Sequence, residues 1–188
     1  MFAALRFAIV GAALACVVLP LPAAADGSWL DAPLDNWNQP LMDVPVAPPT
    51  AQVILNPACP AAVNRAAETD ADAAIQGAGW TVYGSYTAGW GIVIVKGLAT
   101  YDGMCRPMAY QEFVFVDGTF AGTLSPVPMD SRTDGAGNLT GLQSANLLSA
   151  TFQRYTPSDP ACCPSSTTAL RYHVDRSGPG PVIVPEAL

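Results

Sequence analysis

The run Met108-Ala-Tyr-Gln-Glu-Phe-Val-Phe-Val116, then Asp117-Gly118, then Thr119-Phe-Ala-Gly-Thr-Leu124, decides the fold class. Its flanks are rich in β-branched and aromatic residues, and Asp-Gly tolerates positive φ at both central positions of a type I′ turn, so the segment reads as a β-hairpin. Pro126 and Pro128 end it. Upstream, Trp80 to Tyr86 and Gly91 to Lys96 show the same composition and period-two pattern around a Gly-containing turn near Ala88-Gly89, which predicts a second hairpin. Downstream, residues 129–146 read as turns. Leu147 to Tyr155 and Thr168 to Val174 read as two strands around a loop from Thr156 to Thr167, and Val182-Ile183-Val184 as a short edge piece.

Ahead of the first hairpin the period changes. Val63, Ala67, Ala71, Ala74, Ile75 and Ala78 recur at three- and four-residue steps, while Asn64, Glu68, Asp72 and Gln76 occupy another face. Pro60 suits a first helical turn, and Gly77 and Gly79 suit an exit, so one amphipathic helix is predicted from Pro60 to Ala78. The expected architecture is α+β in two layers, with this N-terminal helix packed on a five- to six-stranded antiparallel sheet.

With 188 residues, 51% hydrophobic and 12% charged, the chain is too apolar for a disordered one and has room for a single core. A net charge of −7 offers no phosphate-neutralising patch and excludes nucleic acid as an expected partner. Residues 1–25 carry Arg6, the apolar stretch Phe7 to Leu19, and Ala23-Ala24-Ala25, which is the pattern of an export signal cleaved after Ala25. The apolar stretch is too short for a transmembrane helix, which takes about 20 residues, so no membrane span is expected after cleavage. A rival reading takes Ala13-Leu14-Ala15-Cys16 as a lipobox with Cys16 lipidated as an anchor. Against it stand Ala at position 13 and the greasy Val17 to Leu21 that follows. Residues 26–55 hold Trp29, Trp37 and closely spaced Pro and Asn without periodicity, and read as a Pro-rich linker or wrapping arm. Residues 56–188 form the single folded domain.

Export places Cys59, Cys105, Cys162 and Cys163 in an oxidising compartment, where an even number predicts two disulfides. A bridge between the adjacent Cys162 and Cys163 would close a strained eight-membered ring. The expected pairing therefore sends one of them to Cys59 and the other to Cys105, in an order the sequence leaves open. Adjacent cysteines plus distant single ones do not give zinc-ligand spacing, so no metal and no other cofactor is expected.

No catalytic set emerges. The single histidine, His173, lies mid-strand, and no Gly-x-Ser-x-Gly elbow is present. Asp102, Asp117, Asp134 and Asp159 each adjoin Gly or Pro or sit in turn-rich sequence, as turn-forming aspartates do. Asp130 to Asn138 has the Asp and Gly spacing of a calcium loop but puts Arg132 in the third ligand slot and Gly141 in the twelfth. Asn138-Leu139-Thr140 matches a glycosylation sequon. The least ordinary stretch is Arg154-Tyr-Thr-Pro-Ser-Asp159-Pro-Ala-Cys162-Cys163-Pro-Ser165. It reads as a strand end, Pro-stiffened turns and a double sulfur anchor, a rigid loop that would present Arg154, Tyr155 and Asp159 to a partner.

Phe152-Gln-Arg-Tyr155 with Ser-Asp-Pro and Cys-Cys-Pro-Ser165, the Phe113 to Phe120 hairpin, Gly122-Thr-Leu-Ser-Pro126 and Cys105 together resemble the LppP/LprE family of actinobacterial lipoproteins over roughly residues 59–175. The resemblance implies an exported cell-envelope protein without an established catalytic activity. The chain departs from the lipoprotein label at its lipobox, which favours secretion or retention in the envelope over lipid anchoring. The expected function is a non-enzymatic module that binds an envelope protein or glycan through a sheet face or the cystine-clamped loop. The alternative is a carboxylate-dependent hydrolase of envelope glycans, which would need a cleft holding two acids with one pKa pushed upward.

Overall fold

A computed structural model describes residues 27–49 and 58–187. The export signal and Cys16 lie outside the described residues, within which no helix is long and apolar enough to cross a membrane. A 3-10 turn at Trp29–Asp31 is followed by α1 (Cys59–Val63), α2 (Asp70–Gly77), β1 (Thr81–Val82), β2 (Thr87–Gly89), β3 (Ile92–Tyr101), β4 (Pro107–Val116), β5 (Thr119–Thr123), β6 (Gly137–Ser144), β7 (Leu147–Arg154), β8 (Ser166–Asp175) and β9 (Val182–Ala187). The nine strands make two antiparallel sheets. The first runs β1-β3-β4-β5, with β2 also on β3, and the second runs β6-β7-β8-β9.

The sheets pack face to face. Ile92, Ile94, Leu98, Val114 and Val116 of the first meet Leu148, Phe152, Leu170, Tyr172, Val174 and Ile183 of the second. The other face of the first sheet is also covered: Val95, Phe113, Phe115 and Phe120 lie under Ala71 and Ile75 of α2, Trp80, and Met42, Val44 and Ala47 of the arm. Three layers therefore replace the two expected, and the helix covers one face of one of two sheets. This is why Phe113 to Val116 reads as an unbroken apolar run, since every one of those residues is buried in the middle layer. Gly97 lets the helix come close: a Cβ there would stand 2.9 Å from the Trp80 Cβ and 3.2 Å from the Ile75 Cδ1.

The predicted single helix is two. Thr69 caps α2, its Oγ1 accepting from the Asp72 N–H at 3.1 Å while Asp72 Oδ2 accepts from the Thr69 N–H at 3.0 Å, a reciprocal cap that starts a helix afresh. Upstream of it the backbone is extended, and Arg65 reaches the buried Asp72 with two hydrogen bonds of 2.8 and 2.6 Å. Burial pushes the Asp72 carboxyl up, but Arg65 and the Glu68 and Thr69 N–H groups hold it below its usual range.

The Asp117-Gly118 turn forms as read, with φ of 49° and 80°. The first predicted strand is interrupted, so that β1 and β2 pair separately with β3, and the tight turn falls at Trp90-Gly91. β6 lies inside the stretch read as turns; its Gly137, Asn138 and Gly141 weaken β propensity, and it is an edge strand with two register shifts.

The arm closes one side of the sandwich. β5 lies beside β9 there, and Asn38, 1% exposed, spans the two: its Nδ2 donates to the Thr123 and Ile183 carbonyls, both at 3.2 Å, and its Oδ1 accepts from the Thr123 N–H at 2.8 Å. Gly122, at φ +135°, leaves the space, since a Cβ there would fall 2.3 Å from the Asn38 amide.

The cysteines pair otherwise than expected. Cys59 joins Cys105, Cα to Cα 4.9 Å, tying α1 to the β3–β4 connection, and Cys162 joins its neighbour Cys163 within the β7–β8 loop. Cys59 is fully buried against the inter-sheet core, whereas Cys162 and Cys163 are exposed on a surface loop, so the cross-links drawn from sequence are replaced by one buried bridge and one local ring.

Replacing Cys59 and Cys105 together by Ala is expected to remove about 4 kcal/mol in urea unfolding, and the same change at Cys162 and Cys163 at most about 1 kcal/mol, because loop-closure entropy grows with the loop closed. Asn38→Ala is expected to cost about 2–3 kcal/mol, as it leaves buried main-chain groups unpaired. Unfolding free energies from denaturant titration check all three, and equal losses for the two cysteine pairs would contradict the assignment.

Candidate functional site

Aspartates and an arginine from three segments converge where the arm meets the β5–β6 connection. The 3-10 turn lays Trp29 edge-on against Phe152, ring centroids 4.9 Å apart, and against Trp37 at 5.7 Å, and its Nε1 donates to the Gly135 carbonyl at 3.2 Å. Arg154, at the end of β7, donates from Nη2 to both carboxylate oxygens of Asp31 at 2.9 Å and from Nε to Asp134 at 2.9 Å. Asp134 also accepts from the Tyr155 N–H at 2.7 Å. Its carboxyl is pushed up by burial, yet hydrogen bonds from Ser28, Arg154 and the Tyr155 N–H hold it below the ordinary range. The clamp Asp31–Arg154–Asp134 thus fixes the start of the arm onto the second sheet.

Beside that clamp lies a cleft of about 630 Å³. Trp29, Val127, Pro128 and Met129 line it, with Asp31, Asp130 and Asp134 also in its wall. Asp130 Oδ1 accepts from the Ala109 N–H at 2.7 Å, so the carboxylates that gave the calcium-like spacing act as staples of the β5–β6 connection. No group of His, Cys, Asp or Glu among the described residues is placed to hold a metal ion.

The candidate loop residues separate into two roles. Arg154 and Tyr155 join at Asp134, next to the cleft, while Asp159 organises the loop beyond. Its Oδ2 accepts from the Thr156 N–H at 2.8 Å and the Ser165 N–H at 3.0 Å, and its Oδ1 from the Ser165 hydroxyl at 2.5 Å. These bonds, the Ser165 hydroxyl foremost, hold the Asp159 carboxyl at about 2. Ala161, Cys162 and Cys163 are exposed at the loop's end. His173 is exposed on β8, opposite Leu147 and Val184 in the ladder.

The cleft was not legible in the sequence. Pro126 and Pro128 read as a strand stop and Met129 as the start of a run of turns, and Trp29 read as part of a linker or wrapping arm. The pairing of Trp29 with Gly135, more than a hundred residues later, has no local signal.

Because Asp159 is held below its ordinary 3.8, its hydrogen bonds contribute whenever it is ionised, fully above about pH 4, and fade as the pH falls through about 2. The amide resonances of Thr156 and Ser165 are expected to titrate together at about pH 2, and Asp159→Asn to abolish that titration. A midpoint near 4 would show that the loop is not stapled in this way.

No characterised protein and no solved structure matches the chain. From the β2–β3 turn to just past the end of β8, residues 90–177 match the model of the LppP/LprE lipoprotein family, the family whose hairpin and Cys-Cys-Pro-Ser motifs the sequence resembles.

Proposed function

We propose that this is an exported cell-envelope protein that acts as a binding module for an envelope glycan, taken up in the cleft beside Trp29. The family match supports an envelope setting, since its members bear the lipoprotein name. The observation that carries the binding reading is the chemistry of the cleft wall: an indole and an apolar strip of Val127, Pro128 and Met129 beside the carboxylates of Asp31, Asp130 and Asp134. Sugar rings present an apolar face and a belt of hydroxyl donors, which suit an aromatic wall and carboxylate acceptors respectively.

The bonding of Asp134 favours binding over hydrolysis at that carboxylate. Asp72, Asp102, Asp134, Asp159 and Asp175 are all displaced downward by their hydrogen-bond partners. A glycosidase general acid requires the opposite, a carboxyl pushed up toward neutrality. Asp134, the member of that set in the cleft, is moreover committed to Arg154 and the Tyr155 N–H.

Solubilised cell-wall glycan fragments titrated into the mature protein are expected to change tryptophan fluorescence saturably, without fragmentation of the glycan on prolonged incubation. Val127, 50% exposed on the cleft wall, can be replaced without touching the core. Val127→Arg is expected to weaken the response by about tenfold or more by filling the cleft, which corresponds to about 1.4 kcal/mol. A response that survives Val127→Arg unchanged would place binding elsewhere, and release of reducing ends would establish an enzyme instead.

A further inference from the structure

The two cystines stand in opposite settings, and the contrast points to chemistry at one of them. Cys59–Cys105 joins residues separated by 46 positions, with Cys59 fully buried against the inter-sheet core and Cys105 half-buried. Cys162–Cys163 joins neighbours, and both residues are exposed at the end of the β7–β8 loop. A bridge between adjacent residues closes almost no chain, so it contributes little loop-closure entropy to the fold. Two exposed sulfurs sharing one bond are, by contrast, open to an attacking thiolate, and exposed disulfides are the labile ones in a protein.

The loop is organised without that bond. Asp159 Oδ2 accepts from the Thr156 N–H at 2.8 Å and from the Ser165 N–H at 3.0 Å, which draws both ends of the loop onto one carboxylate. Within this frame the Asp159 N–H donates to the Thr156 carbonyl at 3.0 Å and the Cys163 N–H to the Pro160 carbonyl at 2.9 Å. The Tyr155 hydroxyl donates to the Ala161 carbonyl at 3.4 Å. None of these contacts uses a sulfur. Pro160 and Pro164 flank the pair and restrict the backbone on either side of it. Opening the bond therefore leaves two thiols side by side on a frame that stays in place, where they can close again.

We infer that Cys162–Cys163 is a reversible thiol–disulfide exchange site whose substrate is a dithiol. One thiolate of the dithiol attacks a sulfur of the pair and forms a mixed disulfide. The bond between Cys162 and Cys163 breaks, and its electron pair leaves on the other cysteine, which takes a proton from solvent. The second thiol of the substrate loses its proton and attacks its own sulfur in the mixed disulfide, releasing the remaining cysteine as a thiolate that is protonated in turn. Two electrons and two protons thus pass from the dithiol, which becomes a disulfide, to the cystine, which becomes two thiols. Attack by an oxidised dithiol runs the same steps backwards. Cys59–Cys105 stays outside this cycle, because exchange requires access to a sulfur and Cys59 has none to offer. The inference is independent of glycan uptake beside Trp29.

The oxidised mature protein is treated, without denaturant, with dithiothreitol or with reduced thioredoxin as a protein dithiol, quenched in acid, alkylated with a maleimide and mapped by peptide mass. Cys162 and Cys163 are expected to be alkylated together, at least about tenfold faster than Cys59 and Cys105, and the faster reductant at equal concentration identifies a small or a protein dithiol as the better substrate. Oxidised dithiothreitol is expected to restore the bond. Amide resonances of Cys162 and Cys163 are expected to move on reduction while those of Thr156 and Ser165 keep their positions. Cys162→Ser and Cys163→Ser, both at exposed positions, are each expected to leave one thiol that reacts with maleimide in the folded protein. A pair that resists about 10 mM of either dithiol until the protein is unfolded would overturn the inference, as would opening at the same rate as Cys59–Cys105. So would a bond found from Cys162 or Cys163 to Cys59 or Cys105, or loss of the Thr156 and Ser165 resonance positions on reduction.

Discussion

One buried side chain closes this sandwich. Asn38 occupies the seam between β5 and β9, where each sheet ends, and satisfies main-chain groups of both from a single amide. Sheet edges present unpaired N–H and C=O groups, and two edges meeting side by side under a cover of protein cannot leave those groups to water. The arm solves this by threading a polar residue into the seam and packing aromatic ones around it. Trp37 donates to the Thr123 carbonyl at 3.0 Å, and its ring stands edge-on to Tyr172, which itself donates to the Leu124 carbonyl across the sheets. The arm is therefore part of the core, although its sequence has the composition of a linker.

That seam also explains why the covalent framework is a secondary support. Neither cystine joins the two sheets to each other: one anchors α1 to the β3–β4 connection and the other stays within the β7–β8 loop. What ties sheet to sheet is apolar packing together with a few cross-sheet hydrogen bonds, including Tyr110 to the Gly137 carbonyl and Thr140 to the buried Glu112. The sandwich does not lean on sulfur, because the chain buries a core on both faces of its central sheet.

The parts of the fold that were legible in the sequence are those set by neighbouring residues. Asp117-Gly118 dictated its own turn, and the Ala71–Ile75 spacing dictated a helical face. The break between α1 and α2 was encoded locally too, in Thr69 and Asp72, but a longer apolar period running through it masked the cap. What escaped was set by distant partners. β6 is weak in propensity and exists because β7 offers it a ladder; the second sheet as a separate layer follows from pairings that no local period records. Arg154, Tyr155 and Asp159 were recognisable as unusual, but the sequence carried no sign that Asp31 and Asp134 would take up the arginine.

The consumption of charge by internal pairs gives the surface its functional asymmetry. In a chain with so few cations, each one engaged with a carboxylate is removed from the set available to a ligand, and each carboxylate so engaged loses capacity to act as an acid. The Asp31–Arg154–Asp134 clamp does both at once: it neutralises one cleft wall in part and fixes the arm that forms the other. The segment between the two pockets, Val127 to Asp134, then faces an apolar, acid-bearing cleft on one side and a carboxylate-free, arginine-lined one on the other. Since Asp130 and Ser131 pin that segment to Ala109 and Pro107 at the start of β4, its position is inherited from the middle sheet. Disturbing the seam at Asn38 should therefore reach the cleft through the arm, while leaving the arginine pocket, none of whose lining residues belongs to the arm, in place.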